Sequence, residues 1–287
     1  MNMQARIVND DVQGIPVRRM DFAFDDSIPT YWFGGDPFRT LLLSALSCTF
    51  PEGERMFMRA VRNFAGGVTD PQLQKEVRAF IGQEANHGKE HEAFNRFMDR
   101  KGLPIAKIER FVGEGIKKEE GFFSRERMLA KTCALEHFTA MFAEIILENP
   151  EFLESVDDRL KPLWLWHAIE ESEHKSVAFD VYQDQIGNYW IRASEMALTS
   201  VLFSFFTAVN TTALLRAAGE GRNWKMIGKG FAGLFGRKGF LRGMLPRYLD
   251  YYRPGFHPAQ RDGAALREKG LKMLAQLLEK QELEKAA

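Results

Sequence analysis

The chain has 287 residues, 45% of them hydrophobic, and its 39 basic residues balance 39 acidic ones. A balanced charge gives no overall positive field, so nucleic acid is not expected as a partner. The length is sufficient for one full hydrophobic core with an appendage. Cys48 and Cys133 lie in apolar runs, and the first residues lack the apolar stretch of a signal peptide. These features predict a cytoplasmic protein.

The first segment, residues 1–35, lacks a sustained helical period and contains Pro16 and Pro29. Such a composition predicts an irregular N-terminal arm that lies over the rest of the protein. Trp32 and Phe33 are large apolar neighbours within it, and we expect them to dock the arm.

The first predicted helix begins at Asp36-Pro37, an N-cap followed by proline, and continues to about Phe64. Pro51 should kink or restart it. Glu54 shares one helical face with apolar residues, and a carboxylate on such a face is costly unless it is paired or bound to a metal. We therefore predict that Glu54 is the metal ligand of this helix.

The second predicted helix begins at Asp70-Pro71 and ends before Gly102. Its inward face carries Glu84 and His87, a Glu-x-x-His spacing that places both side chains on one side of a helix. His91 lies one turn further on the same side. Two interpretations of His91 are open, a hydrogen-bonding residue behind the metal site and a direct ligand, and we favour the first.

The third predicted helix begins at Ser124 and is stopped by Asn149-Pro150. Glu136 lies among apolar residues and is the predicted ligand of this helix. His137 points about 100° away from it, and we expect a packing or hydrogen-bonding role for this histidine.

The fourth predicted helix begins between residues 155 and 162 and ends at Gly187. At about 100° per residue, three of its side chains fall within an arc of roughly 60°. These predicted ligands are His167, Glu171 and His174. Glu170 and Glu173 project away from that arc and are interpreted as groups outside the ligand set. Tyr182, two turns beyond, is either a core residue or a group behind the metal site.

The remaining residues, 191–287, form a C-terminal helical appendage. Residues 196–215 contain no charge and are long enough to span a bilayer. Seven of these twenty residues are polar, which favours a buried or membrane-dipping helix whose hydroxyl face packs on the protein. Residues 222–253 contain eight basic residues and one acidic residue among aromatic ones, which fits an anionic membrane surface or an ordinary solvated cap.

These elements predict an all-α fold, a ferritin-like four-helix bundle over residues 36–190 with additional C-terminal helices. Each pair of helices would supply a lone glutamate and a Glu-x-x-His motif, and four carboxylates would neutralise two divalent cations. Oxygen and imidazole ligands without thiolate suit iron, with manganese or zinc as alternatives. We therefore expect two iron ions.

Four stretches carry a resemblance to a known family. They are Phe50-Pro-Glu-Gly-Glu54-Arg, Gln83-Glu-Ala-Asn-His87, Trp166-His-x-x-Glu-Glu-x-Glu-His-Lys175 and Arg253-Pro-Gly-Phe-His-Pro258. The chain resembles the bacterial family of predicted metal-dependent hydrolases over nearly its whole length, which implies metal ligands at the seven positions named above. The spacing of His167, Glu171 and His174 is also similar to that of the p-aminobenzoate N-oxygenase class of di-iron enzymes.

Three functions remain open. The leading hypothesis is an O₂-activating di-iron oxidoreductase that acts on an apolar or lipid-like substrate and takes electrons from an external donor. The alternative is a hydrolase that uses the same two metals. The third is an iron-handling ferroxidase. An association with the inner face of the membrane and a homodimer are further expectations about partners.

Overall fold

The computed structural model describes residues 6–9, 15–237 and 239–286, and it is almost entirely helical. The predicted all-α fold is confirmed. The ferritin-like arrangement within it stays a prediction. The α-helices of the described chain are α1 Pro37–Ser47, α2 Phe50–Ala65, α3 Pro71–Arg100, α4 Ile105–Phe122, α5 Arg125–Glu148, α6 Pro150–Glu154, α7 Lys161–His174, α8 Val177–Gln185, α9 Tyr189–Ala217, α10 Trp224–Phe235, α11 Met244–Asp250 and α12 Ala264–Ala286.

Four rods pack around the centre of the protein. They are α2, α3, α5 and the consecutive pair α7 and α8. Helix α4 packs on α2 and α3, helix α12 covers α7, and helix α9 lies against α1 and α5. Two hydrophobic clusters fill the interior, and the polar site described below lies between the same rods.

The helix starts follow the sequence signals. The side chains of Asp36, Asp70 and Ser124 each accept a hydrogen bond from a backbone N–H in the first turn of the following helix. The break predicted near Pro51 is also confirmed, because α1 ends at Ser47 and α2 starts at Phe50.

Two features of the bundle differ from expectation. Helix α4 was not predicted. The prediction of one continuous fourth helix is wrong, because the helix is interrupted at Lys175 and Ser176, directly after His174. The Lys175 amine lies against Glu144 and donates to the carbonyl oxygen of Arg261, tertiary contacts that residue spacing within the helix does not reveal.

The N-terminal arm is less irregular than expected. Strands Arg6–Asn9 (β1) and Val17–Arg19 (β2) form an antiparallel pair, and β2 packs on α3. Trp32 and Phe33 dock the arm as predicted. Trp32 stacks on Trp164 with 5.6 Å between ring centroids, and both residues of the pair are buried.

Helix α9 is long and apolar enough, by length and composition, to cross a membrane. Only part of it is buried, and that part contains both polar and apolar side chains. Thr199, Asn210 and Thr211 face the protein, whereas Val201 and Phe205 face outward. The prediction that its hydroxyl-bearing face packs on the bundle is confirmed only in part, because Thr211 is buried whereas Ser204 is exposed.

Candidate metal centre

The seven side chains predicted from the sequence converge between the four central rods. Glu54 comes from α2, Glu136 from α5, and the others from α3 and α7; all seven are buried. Their potential ligand atoms form two groups, each with all atoms within 4.8 Å of one another. The groups are Glu54, His87 and His167, and Glu84, Glu171 and His174. Glu136 joins the second group, with its Oε2 3.5 Å from Nε2 of His174.

Helical spacing produces the local pairs. His167 and Glu171 are four residues apart, and Nε2 lies 2.9 Å from Oε1. Glu171 and His174 are three apart, with 3.5 Å between Oε2 and Nε2. Because residues three and four apart are neighbours on a helix surface, α7 alone presents two imidazoles and the carboxylate between them.

Each histidine of the group is held from behind. Nε2 of His87 lies 3.1 Å from a carboxylate oxygen of Glu170, and Nδ1 of His174 lies 2.8 Å from the amide oxygen of Gln83. The inner nitrogens, Nδ1 of His87 and Nε2 of His174, have no hydrogen-bond partner among the described residues. Metal-binding histidines use this arrangement, in which an outer hydrogen bond fixes the tautomer and leaves the inner lone pair free.

The third histidine follows the same pattern through a chain of hydrogen bonds. Ser47 donates its only hydroxyl proton to Asn95, so it accepts from Nδ1 of His91 over 2.8 Å. Burial lowers the pKa of His91 well below its ordinary value, and the neutral ring accepts at Nε2 from Nδ1–H of His167 over 2.6 Å. Nε2 of His167 is left with a lone pair that faces Glu171 over 2.9 Å, an arrangement that needs a proton or a metal ion shared by the two groups.

The carboxylates are also unsatisfied. Both oxygens of Glu54, Glu84 and Glu136 have no hydrogen-bond partner in the described part of the chain. Oε2 of Glu171 also has no hydrogen-bond partner there. Buried charges of one sign are strongly unfavourable without compensation, and two divalent cations would cancel four carboxylates. The donors present therefore fit two metal ions of the kind that prefer oxygen and imidazole nitrogen.

The titration of the site shows how strongly it attracts positive charge. Burial and then the neighbouring carboxylates raise the pKa values of Glu54 and Glu136 well above the ordinary range. Burial lowers the pKa of His174, but the negative charges of Glu171 and Glu84, which lie 3.5 and 3.0 Å from its Nε2, outweigh that effect, so the net pKa is raised. In the metal-free protein, protons thus take the place of cations.

Arg18 supports the site through Glu170 and Glu173, and it was not predicted from the sequence. Its guanidinium donates to Glu170 over 3.1 Å and to Glu173 over 2.7 Å, and Glu170 in turn holds His87. Glu170 and Glu173 are thus outside the ligand group, as interpreted from the helical arc, but both are paired rather than solvated. Burial is the main cause that raises the pKa of Glu170, to about 7.

The two residues left open in the sequence now have distinct surroundings. His91 lies behind His167, the position that we favoured. The Tyr182 hydroxyl donates to the carbonyl oxygen of Asn188 over 2.6 Å, and no described contact joins it to the carboxylates. Tyr182 is therefore a core residue that ties the end of α8 to the following turn.

An apolar pocket of about 170 Å³ reaches the site from the side of α4 and α9. Of the seven converging residues, only Glu54 and Glu171 line it. Phe57 and Leu135 lie among its apolar wall residues, and Phe206 of α9 also contributes. A small molecule in this pocket would meet the site at these two carboxylates.

A model of the family described as predicted metal-dependent hydrolase matches residues 16–262. No curated protein and no solved structure matches the chain. The match agrees with the family resemblance stated above. It also favours hydrolysis, the alternative function, over the oxygen activation that was our leading hypothesis. The di-iron similarity gains no support from these comparisons.

Proposed function

Because this chain belongs to the family of predicted metal-dependent hydrolases, we propose that it is a two-metal enzyme that hydrolyses an ester-type bond in an apolar substrate. The observation that carries the proposal is the convergence of buried carboxylate and imidazole atoms that lack partners. Ligands to two divalent ions would be Glu54, Glu84, His87, Glu136, His167, Glu171 and His174. Ions held there would supply Lewis acidity for the addition of water to an acyl carbon.

The residues around the ligands have separate tasks in this proposal. The apolar walls of the inner pocket bind the substrate and limit the access of bulk water, so the scissile bond lies next to Glu54 and Glu171. His91, Gln83 and Glu170 hold the three imidazoles in one tautomer each. Water adds to the acyl carbon, the alcohol leaves with a proton, and neither an oxidant nor a reductant is consumed.

The test of this proposal is chain-length-dependent ester hydrolysis under argon. Purified protein is stripped with chelator, reloaded separately with Fe(II), Mn(II) or Zn(II), and assayed with p-nitrophenyl esters of two to twelve acyl carbons. We expect turnover that requires metal and that is lost in His174→Gln. His137→Gln is the matched control, because this buried histidine of α5 lies against the Arg247 carbonyl oxygen rather than in the site. Absence of turnover with every metal would contradict the proposal.

A second candidate, oxygen activation, is favoured by the ligand chemistry. Carboxylates and imidazoles without thiolate suit iron, and the pocket that leads to them is apolar. Such an enzyme needs an external electron donor. Oxygen uptake by the Fe(II)-loaded, reduced protein, measured with an oxygen electrode, would support this candidate, whereas turnover under argon would support hydrolysis. Iron bound far beyond two ions per chain would instead indicate iron handling.

A further inference from the structure

Helix α9 exposes an apolar strip on the surface of the protein. Several of its polar residues face the protein, whereas the outward strip contains Val201, Phe205 and Val209, which are 67%, 59% and 41% exposed. Trp190, at the start of the same helix, is also exposed. Contiguous exposed apolar area of this kind marks an interaction surface in a folded protein.

Helices α10 and α11 carry a second group of exposed apolar side chains. Trp224, Phe231, Phe235 and Leu245 are more than half exposed, and the same four side chains line a cavity of about 1380 Å³. The walls of this cavity come from α1, α5 and α9 as well. These four exposed side chains and the cavity are therefore on one side of the molecule.

The rim of this side is basic. Six exposed cations lie between residues 216 and 242, and no ion pair involves them within the described part of the chain. They are Arg216, Arg222, Lys225, Lys229, Arg237 and Arg242. The chain as a whole is neutral, so this concentration of positive charge is a local feature.

We propose that the outer strip of α9 together with α10 and α11, named the docking face, binds the surface of an anionic lipid bilayer. Apolar side chains would enter the acyl boundary while lysine and arginine side chains contact the headgroups, which is the pattern of interfacial proteins. Helix α9 lies on the bilayer rather than across it, because Arg192 and Glu195 of its inner side are buried in the protein.

A bilayer fits the docking face better than a second copy of the chain. In a two-fold dimer the same surface meets itself, so the basic rims of both copies would lie close to each other and repel. An anionic lipid surface has the complementary charge and has no fixed shape that it must match. The choice between these occupants therefore depends on the positive rim.

The position of the cavity indicates where a substrate from the bilayer would enter the docked protein. Phe138, Phe142, Phe203 and Thr207 line both the large cavity and the inner pocket that ends at Glu54 and Glu171. An acyl chain that enters from the bilayer thus follows an apolar path toward the carboxylates. Resting on the proposed function, this path identifies the substrate class as a membrane-derived acyl compound.

The test is flotation of the full chain with vesicles. We expect binding to vesicles of equal parts phosphatidylglycerol and phosphatidylcholine at low salt, and much weaker binding in high salt or to phosphatidylcholine alone. Lys225→Gln with Lys229→Gln should reduce binding about fivefold per charge. Lys75→Gln with Arg78→Gln, two exposed positions on α3, is the matched control and should bind normally.

The apolar part of the docking face is tested separately. Trp224→Ala combined with Leu245→Ala should abolish flotation, whereas Phe122→Ala combined with Leu283→Ala, exposed apolar positions on α4 and α12, should not. Circular dichroism confirms that each variant is folded. Equal flotation of the Trp224/Leu245 and Phe122/Leu283 double variants, or no binding by the unaltered chain, would overturn the proposal. A dimer that the Trp224 pair dissociates, without vesicle binding, would also overturn it.

Failure of docking and failure of the proposed function can be distinguished. Vesicle binding does not depend on the metal ligands, so His174→Gln should float as well as the unaltered protein while it loses ester hydrolysis. Hydrolysis of short soluble esters does not need headgroup contacts, so Lys225→Gln with Lys229→Gln, two positions that line neither the cavity nor the inner pocket, should retain it. Each proposal therefore has a result that leaves the other intact.

Discussion

Nε2 of His91 accepts a hydrogen bond from Nδ1–H of His167, with 2.6 Å between the two nitrogens. This contact determines which nitrogen of His167 faces Glu171, and Ser47 determines the orientation of His91 in turn. The arrangement of the seven converging side chains thus depends on residues outside that group.

Replacement of His91 by leucine should weaken metal binding by roughly 10- to 100-fold, because His167 loses the acceptor that holds its tautomer. His91→Gln keeps an acceptor and should recover part of the affinity. The dissociation constant is measured by competition with a chromogenic chelator. An unchanged affinity in His91→Leu would show that His167 does not need this contact.

Removal of metal should lower thermal stability. Four buried carboxylates are then left without divalent counter-ions, and ions that bind only the folded state stabilise it by about 2.7 kcal/mol at 100 times the dissociation constant. For a chain of this size the melting temperature should fall by roughly 5–10 °C on treatment with chelator. Differential scanning calorimetry with and without EDTA provides the measurement. His137→Gln should show the same drop, since it is outside the site.

In the metal-free protein, the stability that Glu54 and Glu136 contribute should decrease as the pH rises above about 4.5, the ordinary pKa of a glutamate. Glu54 and Glu136 have raised pKa values in the folded state, so between the unfolded and folded pKa the native chain holds more protons than the unfolded one. His174, also raised, acts in the same direction above its ordinary value of 6.5. Metal binding needs deprotonated ligands, so the difference in melting temperature between loaded and metal-free protein should widen from pH 5.5 to 8. A constant difference would contradict this origin.

Replacement of Arg18 by methionine should destabilise the fold by about 3 kcal/mol, because Glu170 and Glu173 would remain buried without their cation. The additional changes Glu170→Gln and Glu173→Gln should restore most of the loss. Urea unfolding followed by circular dichroism gives the free energies. Arg78→Met, an exposed arginine on α3, is the control and should change stability by no more than about 0.5 kcal/mol.

Replacement of Gly115 by leucine should restrict the enzyme to esters with shorter acyl chains. Gly115 lines the inner pocket, and a Cβ there would meet no atom within 4 Å, so the side chain can occupy pocket volume without strain. We expect KM to rise for long acyl esters and to change little for acetyl esters. Gly121→Leu, on the same helix with equally open space and outside the pocket, is the matched control.

Much of the arrangement could be predicted because it depends on local spacing. The capping side chains of Asp36, Asp70 and Ser124 act within one turn, and the Glu-x-x-His pairs need only the helical period. These signals were enough to choose the seven residues that converge. Their role as metal ligands is still a prediction, and the iron preference is equally untested.

The features that could not be predicted depend on distant residues or weak local signals. Helix α4 contains three glycines, at positions 113, 115 and 121, and each lowers helix propensity by about 1 kcal/mol relative to alanine. Gln83 precedes Glu84 in the sequence, yet its role behind His174 depends on the packing of α3 against α7. Arg18 lies 152 residues from Glu170, and no periodicity can report such a contact.

That separation also sets an order of assembly. A chain that leaves the ribosome from its N-terminus exposes Arg18 long before either of its carboxylate partners has been synthesised. The Glu170 contact that orients His87 is completed only when β2 closes over α7. The support behind His87 therefore cannot form before α7 has been synthesised, some 150 residues after Arg18.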